Sequence, residues 1–494
     1  MNKNYLKLAF LMLSALVYGQ AGHVMQGVGA VNMSMGGAAT AQPLDISGAL
    51  QWNPAAISVF DNKTIDFNIG AFFSSPELSS SMPAGAMWSA DAFGPGSPAS
   101  PATSGVTQDD RGVSPMPALA MVWGKEDSKH TFGVSAFGIS GFGVTFPQET
   151  NLPMDASGNP NPNWDPSNSN VINYPQSANG FGHLESDYML LQVGFTWAYE
   201  VSDNFSIGVQ PTFNYGALEL APSPLSAPDF PVAMGGRGKG YPTTDNASAI
   251  GFGAQFGMFY NAPSGIKLGA SYKTGQSFGD LEFKNTYLDG SAAPETAFNM
   301  DYPTILSFGL GYSKGDIDFA LDYRMVDYEN TDGFAEKGWV IAEEGPTAGF
   351  PTGAVKGFGW KNINILSVGL QYKGIEKLPL RVGYTYSSNP IDDELAFFSI
   401  PATAVIANAF QLGFSYPITD NLMLNGVYHY GTSDGKTEGN LLNPTPDQDF
   451  NQDGQPDGPW NVATNPLGKV PNSKVGYEMT TGMVMFGVSY TFKE

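Results

Sequence analysis

Strict alternation of large apolar residues with glycine or small polar ones recurs along most of the chain, and it limits the possible folds more than any other feature. In 484–492, Val484, Phe486, Val488, Tyr490 and Phe492 share one face, while Met485, Gly487, Ser489 and Thr491 share the other. The same pattern sets Leu191, Val193, Phe195, Trp197 and Tyr199 against Gln192, Gly194, Thr196 and Ala198. It recurs at Leu306, Phe308, Leu310 and Tyr312, and again at Phe410, Leu412, Phe414 and Tyr416. Period two means strands. A soluble sheet would carry charge on its outer face, whereas only 14% of these residues are charged. An apolar face backed by small residues fits a lipid-facing barrel wall around a wet or ligand-lined interior.

Fourteen strands are expected, starting near Thr64, Met116, His130, Ser186, Asn204, Ala247, Gly265, Pro303, Ile317, Ile363, Leu378, Val405, Leu422 and Glu478. Their connections alternate between short turns such as "VSDN" and "SKGD" and long segments, roughly 75–115, 147–185, 217–246, 276–302, 328–362, 388–404 and 431–477. An even strand number with short turns on one rim and long loops on the other is the pattern of an outer-membrane barrel. It places both termini in the periplasm. The expected fold is therefore all-β, a 14-stranded antiparallel transmembrane β-barrel over 64–494.

Two stretches precede it. Lys3 and Lys7 lead into "LAFLMLSALVYG", which reads as a signal peptide over 1–19. Residues 20–63 are rich in Gly, Ala, Ser and Met and too short for a domain with its own core. Attached to the first strand, they can fold into the lumen, with Asn53-Pro54 forming the turn that leads out. The excess of 46 acidic over 23 basic residues argues against nucleic acid as a partner. The absence of cysteine excludes disulfides and thiolate chemistry.

The segment "GVGAVNMSMGGAATA" (27–41), followed by Asp45, Ser47, Ala49 and Asn53-Pro54-Ala55, resembles the N-terminal hatch of FadL-type outer-membrane transporters. The resemblance implies a barrel plugged by its N-terminus that takes up long-chain fatty acids or similar hydrophobic molecules by passive diffusion. It also implies gating by Asp45, Asn53, Pro54 and Ala55, a location in the outer membrane of a Gram-negative bacterium, contact with outer-membrane lipid, a monomer, and no enzymatic activity. The chain departs from such barrels at its end, where Lys493 and Glu494 follow the aromatic Phe492. The family's lateral exit lies at a kink in the third strand. In "HTFGVSAFGISGFGVTF" the apolar parity slips twice, at Phe137 and again before Phe142, with Gly138, Gly141 and Gly143 nearby. That pattern reads as a bulge or a break in pairing, or as a glycine-eased bend.

A buried carboxylate needs a cation or several donors. Strand parity turns Lys273, Arg324, Arg381 and His429 inward as candidates to bind a ligand, with Asp318 and Asp322 as structural partners for Arg324; Arg381 is the favoured one, because its own strand supplies no inward acid. Met25, Met33 and Met35 would line an apolar pocket or simply pack the plug. In "DQDFNQDGQPDG", Asp449, Asn451, Asp453 and Asp457 have spacing that suits calcium, although Trp460 stands where a bidentate Glu is expected. The stretch fits either a structural calcium site or a solvated acidic loop, and no other cofactor is expected. The rival functions are a protein-secretion barrel of the same family, a general porin and, last, a barrel hydrolase.

Overall fold

The computed structural model describes residues 22–91, 94–155, 157–229, 237–345, 347–449, 455–456 and 458–492. The expected signal peptide, and the calcium-spaced Asn451, Asp453 and Asp457, lie outside them. The wall is a closed antiparallel barrel of fourteen strands. In chain order these are β1 (Lys63–Met82), β2 (Val113–Trp123), β3 (His130–Phe146), β4 (Leu184–Ser202), β5 (Phe205–Ala221), β6 (Ala247–Asn261) and β7 (Ile266–Lys273). There follow β8 (Thr304–Lys314), β9 (Ile317–Asp327), β10 (Ile363–Tyr372), β11 (Leu380–Ser387), β12 (Ile406–Pro417), β13 (Leu422–Ser433) and β14 (Lys474–Phe492). Each strand pairs with the next, and β1 closes the barrel on β14 from Lys63↔Phe492 to Ser81↔Lys474. Closure satisfies the strand edges along most of the wall, which a lipid environment requires, with one stretch between β2 and β3 left unpaired. No described helix is long and apolar enough to cross a membrane.

The alternation in sequence becomes alternation in space. Along β6, Phe252, Phe256 and Met258 point outward while Gln255 and Ala249 are buried. Most strand starts fall within about three residues of expectation. The first hairpin differs: β1 runs on to Met82, and Thr103–Gln108 returns along it as an outer extension of β2. The polar run "SSPELSSSM" concealed that extension because it pairs above the apolar band.

Residues 22–59 lie inside the barrel, and all but Leu44 and Val59 are buried. They contain α1 (Ala30–Ser34), α2 (Ile46–Trp52) and a 3₁₀ turn, Pro54–Val59. Proline suits the first position of that turn, where its missing N–H is not needed. Asn53 caps it by accepting from the Ala55 amide at 3.1 Å.

The small residues of the inner wall exist for this segment. A side chain at Gly269 would overlap the Thr40 carbonyl, and one at Gly208 would overlap the Ala55 amide. A Cβ on Gly36, itself at φ 69°, would come within 2.7 Å of the Tyr384 carbonyl. Glycine on the wall thus lets backbone approach backbone, so much of the face expected to be wet is a packed interface.

The variant Gly208→Val/Gly269→Val should still close its wall, which heat-modifiable electrophoretic mobility reports. It should also displace residues 40–55 and admit a small sugar to liposomes that exclude it in the wild type. Unchanged exclusion would show that the segment reseats around the added side chains.

Candidate functional site

The interior segment is tied to the wall by charge as well as shape. The Asp322 carboxylate accepts from the Ala39 and Thr40 amides at 2.9 Å and from Thr40 Oγ1 at 2.7 Å. Arg324 pairs with the same carboxylate at 2.6 Å, donates to the Gly37 carbonyl at 2.7 Å and lies 3.7 Å from the Trp52 ring centroid. Both side chains are 1% exposed, so neither charge could stay there alone. On the other side of α2, Asp66 accepts from Ser47, and Asn68 accepts from the Ala30 amide at 2.9 Å. Asn53 donates to the Thr40 and Met258 carbonyls at 2.8 and 3.0 Å, bolting the Asn-Pro-Ala turn to β6.

The four inward cations are all buried, but they are not gathered into one site. Arg324 holds the segment as described. Arg381 donates to Gln371 at 2.8 Å and bonds Ser415 and Ser34. His429 lies 3.3 Å from Gln411, which donates to Gln26 at 3.1 Å. Lys273 donates to Gln192 at 3.1 Å, with no carboxylate partner among the described residues. Asp318, expected beside Arg324, pairs instead with Lys373 at 2.9 Å. Asp45 is the N-cap of α2, and burial pushes its carboxyl well up, with Asp66 adding to the rise and Arg381 opposing it. Met25 and Met33 pack with Met483 and Met485, and Met35 with Ala38 and Ala320. In the last loop, Asp449 is exposed and Trp460 buried.

The wall is interrupted between β2 and β3. Their pairing runs from Trp123↔Phe132 to Ala118↔Phe137 and stops, while β3 stays paired with β4 up to Phe146↔Leu184. The register shifts once, between Gly138 and Ser140, where the sequence pattern suggests two slips. Phe137 and Ile139 already share the inward parity of Ser135, so only the later change is real. Gly138, Gly141 and Gly143 line the parted stretch. Opposite them stand Pro115 and Pro117, which have no N–H to give a neighbouring strand. That two-residue proline spacing is the signal that sequence reading passed over.

The strands rejoin further out. The Asp110 amide donates to the Thr145 carbonyl at 2.8 Å, and Arg111 reaches over Gly143 to the Ser186 carbonyl and Asp187, both at 2.7 Å. The result is a framed window. From the lumen, the start of the interior segment takes up the free edge. Met25 donates to the Ile139 carbonyl at 3.0 Å, and the His23 carbonyl accepts from Ser140 Oγ at 3.0 Å and from the Gly141 amide at 3.4 Å.

Behind the window is an aromatic box. The His23 ring is surrounded by Phe334, Tyr328, Trp360, Tyr302 and Tyr188, with centroids 4.6–6.1 Å away. Its Nδ1 lies 2.6 Å from Tyr328 Oη, and burial pushes the imidazole down to about 3, so it is neutral. Phe142, on the window's edge, packs 4.9 Å from Tyr188 and 5.9 Å from Phe358, which continues the cluster outward. Above it, four long loops line a narrow apolar cleft, with Phe181, Tyr241, Trp339, Val355, Phe397 and Ile400 among its walls.

A closed barrel with an apolar exterior, a filled lumen and one break in its wall defines the class of outer-membrane transport barrels. The chain belongs to the outer membrane protein transport protein family (OMPP1/FadL/TodX), whose model matches residues 173–451. It is similar in fold to a Pseudomonas aeruginosa FadL homologue, with 14% identity, a TM-score of 0.62, and 96% of this chain and 100% of that one covered. It is similarly related to the Pseudomonas putida toluene transporter TodX, at 15% identity and a TM-score of 0.61, covering 95% and 99%. The Ralstonia pickettii toluene transporter TbuX matches at 15% identity and a TM-score of 0.57, covering 95% and 99%. No curated protein matches the sequence.

Replacing Asp322 with Ala would leave Arg324 buried without its partner and free two amides of the interior segment. The expected cost is about 3–5 kcal/mol, read as faster hydrogen exchange at residues 37–41 than in the strands. Unchanged exchange there would mean that shape alone seats the segment.

Proposed function

We propose that this barrel carries hydrophobic small molecules, long-chain fatty acids or aromatic hydrocarbons, from the cell exterior into the plane of the outer membrane. The observation that carries the reading is the run of apolar side chains from the outer cleft through Phe358 and Phe142 to the window beside Gly138–Gly143. A ligand partitions into the loop cleft, where apolar burial at roughly 25 cal/mol per Å² favours it over water. It then passes along the aromatic cluster and leaves sideways once residues 23–25 release the edge of β3. Residues 20–63 serve as the plug, with the Asn53-Pro54-Ala55 turn as its fixed end, and both termini face the periplasm. The first 19 residues direct export. A fatty-acid head group would be held by Arg381 or Lys273, the two buried cations with no ion-pair partner among the described residues. A filled lumen speaks against free passage of polar solutes, and no observation favours a secretion role.

Liposomes carrying the barrel should take up a labelled long-chain fatty acid or toluene saturably and exclude a small sugar. The chain has no cysteine, so Met116→Cys/Gly138→Cys can be bridged across the window by a short bifunctional thiol reagent. Bridging should slow uptake at least about tenfold, ~1.4 kcal/mol in barrier, and reduction should restore it. Free sugar passage without hydrophobic uptake would make this a porin. Uptake indifferent to the bridge would move the exit elsewhere.

A further inference from the structure

His23 occupies the place that a ligand ring would take. The five rings around it come from the barrel and its loops: Tyr188 from β4, Tyr302 from the connection before β8, and Tyr328, Phe334 and Trp360 from the loop between β9 and β10. The imidazole comes from a separate element, the interior segment. All the centroid distances lie in the range in which aromatic pairs attract, and the interplanar angles of 32–72° are tilted or edge-on rather than face to face.

A cluster built only to fill space would hold an aliphatic or phenyl group. This one holds a polar ring and leaves polar atoms unmet. Nδ1 of the neutral ring shares a hydrogen bond with Tyr328, and in either tautomer Nε2 has no hydrogen-bond partner among the described residues. Tyr302 Oη, fully buried in the same box, has none either. Unmet buried groups of this kind weigh against the state that contains them, so the His23-filled box is a costly arrangement that another ring could improve upon.

We propose that the box is a binding site for a small planar ring bearing one hydrogen-bonding group, a phenol or an azole, and that His23 is its built-in occupant, displaced when such a ring arrives. An acyl chain gains burial there but offers no flat face to five rings. A carboxylate would meet aromatic walls and a single phenol, too little for its charge. Tyr328 Oη supplies the contact for the ring's polar atom. Displacement also bears on the window, because the His23 carbonyl is the acceptor for Ser140 and Gly141 on the edge of β3. Ring binding therefore competes with the contact that closes the window from inside. The transport reading supplies the ligand's way in; the box itself stands on the geometry alone.

The test titrates phenol, imidazole, toluene and cyclohexane into the folded full-length barrel, following fluorescence of the box tryptophan. Removing the occupant with His23→Ala should tighten phenol and imidazole at least about tenfold and leave cyclohexane little changed. Tyr328→Phe in the same background should weaken phenol about fivefold, one hydrogen bond's worth, without weakening toluene. Equal gains for cyclohexane and phenol, or no gain for any ring, would overturn the proposal. Should His23→Ala fail to fold, His23→Phe, a larger and wholly apolar occupant, should bind phenol more weakly than wild type, and unaltered binding would count against it.

Coupling to the window is read from Val24→Cys. Phenol should speed its labelling by a maleimide and cyclohexane should not; equal rates would remove the coupling. Fatty-acid uptake by wild-type liposomes is measured separately, so the transport reading and the box can fail independently.

Discussion

A strand edge with no partner cannot be left facing hydrocarbon, and the edge that β3 presents above Phe137 is the point on which the interior arrangement turns. Pro115 and Pro117 prevent β2 from covering it. Arg111 and Asp110 bring the strands back together farther out, so the defect stays local. The polar groups left over, the Ile139 carbonyl and the Gly141 amide, are met by residues 23–25 from within. The wall is therefore complete only when the start of the interior segment is in place. The position of His23 among five rings follows from the same geometry, because the residue that bonds Ser140 carries its side chain straight into the box.

That terminus can serve the edge only if the rest of the segment is held. Two different devices hold it. Glycines on β5, β7, β10 and β11 allow its backbone to lie directly on the wall, which fixes position by shape. Asp322 and Arg324 fix register, because a buried carboxylate that gathers two amides, a hydroxyl and a guanidinium has no second arrangement of equal quality. The anchoring contacts cluster at Gly36–Thr40 and Asn53–Ala55. Residues 23–25 are held without charge, by hydrogen bonds to β3 and Tyr328, the ring contacts of His23 and the packing of Met25. The buried ion pair and the backbone-on-wall contacts thus hold the body of the segment, while neutral hydrogen bonds and packing hold the end that meets the window.

The barrel itself was legible in the sequence because each wall strand has only two faces, and one of them must be apolar. Fourteen strand starts follow from that, as does the inward direction of Lys273, Arg324, Arg381 and His429. What those side chains touch was not legible. Parity says that Arg324 points inward; it cannot say that Gly37 and Trp52 are waiting there, because those contacts join residues nearly three hundred positions apart. The outer part of β2 was hidden for another reason: beyond the bilayer the outward face no longer needs to be apolar, so Thr103–Gln108 loses the alternation that marks the rest. The aromatic box was out of reach as well, since Tyr328, Phe334 and Trp360 lie in a long loop whose path no periodicity reports.

The sparse charge of the chain acquires a meaning in this light. Inside the barrel, both arginines and His429 contact the interior segment directly or through Gln411, and Asp322 Oδ2 accepts three of that segment's donors. Electrostatics inside the barrel therefore serve mainly to seat the interior segment, and the surfaces left along the proposed route are almost wholly apolar: the loop cleft, Phe358, Phe142 and the box. A route of that kind cannot sort solutes by charge except by rejecting those that cannot shed it. It can sort them by shape, by how well a molecule lies against tilted aromatic faces, and by whether it offers one polar atom to Tyr328. Selectivity then resides mainly in rings supplied by the loops, with Tyr188 and Phe142 contributed by the strands. On this scaffold, a change of ligand would fall chiefly on Tyr302 and residues 328–360 and leave most of the fourteen-stranded wall as it is.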